Sequence, residues 1–205
     1  MDKIICLIIS LLPSQIIKRF FFNICGFKVD NSKIGFFVIF RKNSIKIINS
    51  KIKSFNIILS DEIEINNSKI SNFNLFKNIN ELIITDSNIK KLNKFYGNIN
   101  LKSNKNSLKI NNSYVGKKNF FDLSADILID KSKIQNHCQL WTHEFDIFRK
   151  IKFGKISLNN NTLINNYVII LPGVNVANKI NILPESVVHK SLHESGRYKS
   201  VLVPK

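Results

Sequence analysis

The side chains of this 205-residue chain best suited to moving a proton near neutral pH are its four histidines, and two of them, His137 and His143, flank one short segment. An unperturbed imidazole titrates at about 6.5, so at neutral pH it is mostly in its basic form. Between the two lies Cys138-Gln139-Leu140-Trp141-Thr142, which holds the chain's single tryptophan. As ligands, His137, Cys138 and His143 offer a candidate zinc set, since zinc accepts imidazole nitrogen and thiolate sulfur. As a general base His143 is preferred, because it stands at the edge of 144–155, where an otherwise regular pattern lapses. An interruption held by a regular scaffold is where function tends to be placed. His189 and His193, in the last repeat and just past it, read as surface residues.

The regular pattern is clearest from Ile156 to Val188. Leu158, Ile164, Ile170, Val176, Ile182 and Val188 recur every six residues, and Thr162, Val168, Val174, Ile180 and Ser186, two before five of them, are small or β-branched. Six matches neither a helix nor a plain strand, so the period belongs to a repeated supersecondary unit. Hexapeptide repeats mark a parallel β-helix, in which three repeats close one coil. Upstream, an apolar-x-x-Ser-x-apolar phrase places Ser32, Ser50, Ser68, Ser87, Ser113 and Ser132 at steps of 18, 18, 19, 26 and 19. Eighteen residues make one coil, so these serines are expected to stack, with the longer steps absorbed as corner insertions. Corners favour φ > 0, so asparagine is expected to stand in for the scarce glycine, as at Asn66, Asn111, Asn159 and Asn165.

The formal charge of +17 invites a nucleic-acid reading. The lysines, however, are spread along the repeats with no arginine cluster and no nucleic-acid motif. A solvated lysine surface is the simpler account, with attraction to anionic lipid or a phosphorylated ligand next to it. Cys6, Cys25 and Cys138 are odd in number and unrelated in spacing, which points to a reducing compartment rather than a disulfide framework. Residues 1–27 differ from the rest: an apolar run, Ile4–Leu12, is too short to span a bilayer, and Lys18 and Arg19 are mixed with Phe20, Phe21 and Phe22. A helical pair is expected there, capping the β-helix or lying in a membrane interface.

Trp141-Thr142-His143-Glu144-Phe145-Asp146, followed by Ile170-Leu171-Pro172-Gly173-Val174 and Ser186-Val187-Val188, resembles the hexapeptide-repeat acyltransferases. The likeness is greatest to the O-acetyltransferases that modify sugars of bacterial lipopolysaccharide O-antigen, capsule and exopolysaccharide. It is specific from Phe120 to Val188 and rests elsewhere on the coil rhythm and the Leu12-Pro13 opening. Two departures stand out: asparagine mostly replaces the family's repeat glycines, and the C-terminal element survives only as Val203-Pro204-Lys205. The resemblance implies a left-handed β-helix and a homotrimer with active sites in the clefts between subunits. It also implies acetyl-CoA as co-substrate, no metal, and a carbohydrate acceptor whose hydroxyl is deprotonated by His143. Asp146 or Glu144 would orient the imidazole, and Trp141 and Thr142 would meet the substrate. Gly173, Ala177, Lys179, Lys190 and Arg197, with Lys199, would contact coenzyme A.

The expected architecture is thus an all-β, left-handed parallel β-helix of seven or eight coils. A helical cap would occupy 1–27, the acyltransferase domain 28–190 with its loop at 144–155, and a tail 191–205. The expected activity is acetyl-CoA-dependent O-acetylation of a surface-polysaccharide sugar in the cytoplasm, peripheral to the inner face of the membrane if residues 1–27 dock there. The alternatives are a zinc enzyme of the γ-carbonic anhydrase type and a β-helix scaffold without catalysis.

Overall fold

Short strands separated by tight corners are what a six-residue repeat dictates, and almost every strand here is two to four residues long. A computed structural model describes residues 2–41, 44–60, 62–77, 79, 81–97 and 108–199. Its strands stack in parallel on three faces to form a left-handed β-helix. Among the described residues one face has nine strands and the next eight. The third has five, continued toward the N-terminus by bridges through Asn66. The eight-stranded face counts eight coils. In the C-terminal coils Leu158 pairs with Val176, Ile164 with Ile182 and Ile170 with Val188, the register that the period predicts.

The interior is a set of columns. Behind the eight-stranded face, Phe40, Ile58, Phe76, Phe95, Phe121, Leu140, Ile170 and Val188 follow one another coil by coil, all buried. The rings of Phe76, Phe95 and Phe121 stack at 4.6 and 4.7 Å. Polar columns run beside them. Ser50 N donates to Ser32 Oγ at 3.0 Å, and the same bond repeats through Ser68, Ser87, Ser113 and Ser132. An asparagine column does the same at another corner: Asn74, Asn93 and Asn119 each donate their N–H to the preceding Oδ1 at 2.9 Å, and Cys138 closes the series at 2.7 Å. Each buried hydroxyl or amide thereby satisfies a corner N–H that the strands leave over.

The corners correct one expectation. Asn66, Asn111, Asn159 and Asn165 are not in the left-handed region; the side-chain amides of Asn111, Asn159 and Asn165 hydrogen-bond to neighbouring coils, and that of Asn66 donates to Glu64 in its own coil. Positive φ falls instead on Asn49, Asn67 and Asn112, and also on bulky residues such as Phe37, Phe55, Phe73 and Tyr167. Stacking compensates the strain: Phe37, Phe55 and Phe73 lie face to face at 5.0 Å spacings, and Tyr167 stacks on His137 at 4.8 Å.

At the N-terminal end sit two helices, α1 (Asp2–Leu11) and α2 (Gln15–Ile24), with Ser14 capping the second. Cys6, Ile9 and Phe22 enter the core, and the Phe22 ring meets Phe27 and Phe40 edge-on. Gln15 closes the open sheet edge by pairing with Ile34 in both directions, accepting from its N–H at 2.9 Å and donating to its carbonyl at 3.1 Å. At the other end Gly196–Tyr198 adds a strand beside Ile180–Ile182, so residues 191–199 continue the coil; Val203-Pro204-Lys205 lies outside the described residues. Among the described residues no helix is long and apolar enough to cross a membrane.

One excursion leaves the coil. Between the strands Gln139–Leu140 and Ile156–Leu158, the chain forms an antiparallel hairpin of His143–Phe145 against Ile151–Phe153. Gly154 N–H donates to the Thr142 carbonyl at 2.9 Å and closes its neck. There is no room for a side chain at Gly154, because a Cβ would stand 2.3 Å from the Gly173 nitrogen. The coil resumes in phase beneath, with Ile129 paired to Leu158.

Candidate active site

The hairpin delivers His143 to the corner where it leaves the coil, and the strand Phe120–Leu123 of the coil below supplies its partner. In that strand Phe121 points inward, leaving Asp122 under the neck of the hairpin, nearly buried. His143 Nδ1 lies 2.7 Å from Asp122 Oδ2. The same oxygen accepts from the N–H groups of Thr142 at 2.8 Å and His143 at 3.1 Å, and Oδ1 accepts from Ser124 Oγ at 2.6 Å. Burial alone would raise the carboxyl of Asp122, but these hydrogen bonds from Ser124, His143 and Thr142 outweigh it and hold the pKa below the ordinary value. An ionised carboxylate accepts the Nδ1 proton, so the tautomer with a free lone pair on Nε2 is favoured. The imidazole is partly open to solvent, within a collar formed by Trp141, Phe145 and Phe153 at centroid distances of 6.2, 6.0 and 6.4 Å.

A histidine fixed at one nitrogen by a buried carboxylate and open at the other is the arrangement of a general base. The residue that orients it is Asp122, not Asp146 or Glu144. Asp146 builds the hairpin turn instead, its Oδ1 accepting from the N–H groups of Phe148 and Lys150 at 2.9 Å each. Glu144, on the hairpin strand, is exposed. Thr142 is also reassigned: it is fully buried, and its hydroxyl bonds Asp122 at 2.9 Å and accepts from Ala125 N–H at 2.8 Å, so it braces the carboxylate and cannot meet a substrate. Asp122 was discoverable. It is the one acid in the apolar run Phe120–Leu123 and stands 21 residues before His143, close to one coil.

Trp141 lies beside the dyad, tilted over Phe120 at 4.7 Å, with its indole N–H on Gln139 Oε1 at 3.0 Å. Together with Leu92, Lys94, Lys118 and Asn119 these residues line a hollow of about 490 Å³ running toward the N-terminal coils. Tyr96 continues the aromatic row 5.8 Å beyond Phe120, with the Lys77 ammonium 5.9 Å from its ring. Gly173 occupies the turn against Gly154 with φ of +81°. Ala177 and Lys179 lie at a C-terminal corner, where Ala177 N–H donates to the Leu192 carbonyl and Lys179 holds a φ of 59°. Lys190 and Lys199 line a smaller hollow of about 110 Å³ with Val188 and Leu192, and Arg197 is exposed on the final strand. The structure therefore gathers Trp141, His143 and, through Gly154, Gly173 at one corner, and leaves the four cations on the last coils.

The zinc set does not assemble. Cys138 is buried in the coil with its thiol pushed up to about 11 by desolvation, and His137 stacks outward on Tyr167. Among the described residues no group of three or more His, Cys, Asp or Glu side chains converges.

No family model matches the sequence, and no curated protein matches it. Solved structures do resemble it. A mutant of AntD, an N-acyltransferase from Bacillus cereus with dTDP and coenzyme A bound, matches with a TM-score of 0.52 at 17% identity, over 62% of this chain and 79% of its own. The polySia-specific acetyltransferase NeuO matches with a TM-score of 0.50 at 17% identity, over 85% and 78%. The UDP-N-acetylglucosamine acyltransferase from Campylobacter jejuni matches with a TM-score of 0.56 at 15% identity, over 80% and 64%. At such identities the likeness establishes the fold, the left-handed β-helix those proteins share.

Proposed function

We propose that the chain is an acyl-CoA-dependent O-acetyltransferase that modifies a saccharide hydroxyl. The observation carrying this reading is the 2.7 Å bond between His143 Nδ1 and the buried, ionised Asp122. In the reaction His143 Nε2 takes the proton of the acceptor hydroxyl as its oxygen attacks the thioester carbonyl. The tetrahedral intermediate collapses, the C–S bond breaks, and the proton passes from the imidazolium to the departing thiolate. Asp122 stays ionised throughout and stabilises the imidazolium.

The acceptor enters along the hollow beside Trp141. Aromatic faces at Trp141, Phe120 and Tyr96 suit the apolar faces of sugar rings; Lys94 and Lys118 line the hollow with no carboxylate among its lining residues, and Lys77 stands beside Tyr96. An acidic saccharide is the class this surface favours. Coenzyme A lies on the other side of the hairpin, over Gly173 and Ala177, with Lys179, Lys190, Arg197 and Lys199 available to its phosphates. Relatives in fold support the donor, since AntD was solved with coenzyme A. The exposed hairpin tip, Phe145, Ile147 and Phe148, supports a homotrimer in which it packs on the neighbouring copy. Three cysteines outside any disulfide and an acetyl-CoA donor agree with a cytoplasmic setting.

The test is acetyl transfer from acetyl-CoA to bacterial surface polysaccharide, read as free thiol and as base-labile ester in the product. His143→Ala should lose transfer while keeping its fold. Persistent transfer in that variant, or a base-stable amide product, refutes the reading.

A further inference from the structure

The helix pair at the N-terminal end caps the coil with the wrong face for a protein surrounded by water. In α2 the side turned to the coil carries Gln15, Phe22 and Lys18, which is fully buried with its ammonium 3.2 Å from the Ile34 carbonyl and 4.2 Å from the Phe36 ring centroid. The apolar stripe looks outward: Ile16, Phe20 and Ile24 are 71%, 61% and 64% exposed, with Ile17 and Phe21 beside them. The outer side of α1 repeats this with Ile4 at 67%, Ile8 at 59% and Leu11. The neighbouring corner adds exposed Phe36 and Phe37. A contiguous apolar surface of this kind on a folded chain marks an interaction site.

Its rim decides the partner. Lys28 lies four residues past the end of α2, and Lys33 and Arg41 are exposed on strands beneath the helices, with Arg19 on α2 itself. Asp30 is the nearby acid, hydrogen-bonded to Asn23, and Asp2 opens α1. A second copy seated on this face would bring two cationic rims together in a chain whose net charge is already +17. An anionic lipid surface matches both features, and each helix of ten residues is about 15 Å long, suited to lying in the interface rather than crossing it. We infer that α1 and α2 dock the protein, end-on, onto an anionic membrane surface, inserting Ile4, Ile8, Ile16, Phe20, Phe21 and Ile24 among the headgroups.

Flotation of the full chain with vesicles tests this, comparing phosphatidylcholine alone with phosphatidylcholine containing one-third phosphatidylglycerol. The chain should float with the anionic vesicles, and Phe20→Ser with Phe21→Ser should weaken partitioning by roughly tenfold or more without changing the melting temperature. Arg41→Glu should weaken binding to anionic vesicles and leave neutral ones unaffected. His143→Ala should float like the parent, so this inference and the catalytic reading fail separately. The inference is overturned if the chain stays with the soluble fraction, if the serine variants float unchanged, or if sedimentation shows the same substitutions dissolving a dimer.

Discussion

Replacing Asp122 with asparagine removes one charge and, besides it, only the long 3.3 Å bond from Ser124 N–H to Oδ1. Oδ2 receives main-chain N–H groups from Thr142 and His143, so the amide oxygen of the variant must take that position, and the amide nitrogen must face Ser124, whose hydroxyl can accept. His143 Nδ1 therefore keeps its acceptor and its tautomer. Lost is the attraction between carboxylate and imidazolium as the latter forms. Unit charges about 4 Å apart interact by about 4 kcal/mol at an effective dielectric constant of about 20. The imidazole is partly solvated, so some of this is screened, and the expected fall in kcat is about 100- to 1000-fold. Thiol release from acetyl-CoA at saturating acceptor measures it, beside a thermal melt that should move little. Asp122→Ala makes a poor substitute, because it strands buried N–H donors at about 1–3 kcal/mol each and endangers the fold. If Asp122→Asn stays within threefold of the parent while His143→Ala is inactive, the carboxylate has no part in the chemistry and the dyad is only a brace.

Gly154→Ala should leave the far-ultraviolet circular dichroism intact yet cut kcat about 100-fold, because its Cβ would push the hairpin neck off Gly173 and shift His143; unchanged turnover would show that the neck relaxes freely. Ser68→Ala removes the acceptor of Ser87 N–H and the donor to the Asn66 carbonyl, so urea unfolding should show a loss of about 1–3 kcal/mol. An unchanged midpoint would mean that the serine column adds nothing net. The Asp122 carboxyl has a folded pKa below its unfolded value of about 3.9, so its contribution is present above that value and lost as pH falls through the folded pKa. Below about pH 4 the melting temperature should therefore fall more steeply in the parent than in Asp122→Asn, and parallel curves would contradict the depressed pKa.

Much of this architecture was legible because a β-helix writes its interior into a short period. The residues recurring every six positions from Leu158 to Val188 all face inward, and the serine phrase marks the coils. What escaped notice depended on coil stacking rather than local sequence. Asp122 meets His143 only because one turn lies on another, whereas Glu144 and Asp146 are nearer in sequence and belong to the hairpin. The resemblance of Trp141-Thr142-His143 puts Thr142 at the substrate, yet the hairpin neck buries it on Asp122. The corners misled for a similar reason. Intrinsic preference points to asparagine at φ > 0, but a phenylalanine stacked between two identical rings recovers in contact what it loses in backbone strain.

The hairpin begins and ends at adjoining points of one corner, and the turns above and below it remain hydrogen-bonded as if it were absent. Reactive groups placed on such a side branch can change in length or lettering without disturbing the trunk. A lineage carrying this scaffold is thus free to vary the surroundings of His143 by recoding about a dozen positions. The same property makes 143–153 a cassette that protein engineers can transplant between solenoids of matching pitch, provided the receiving coil has a carboxylate where Asp122 stands.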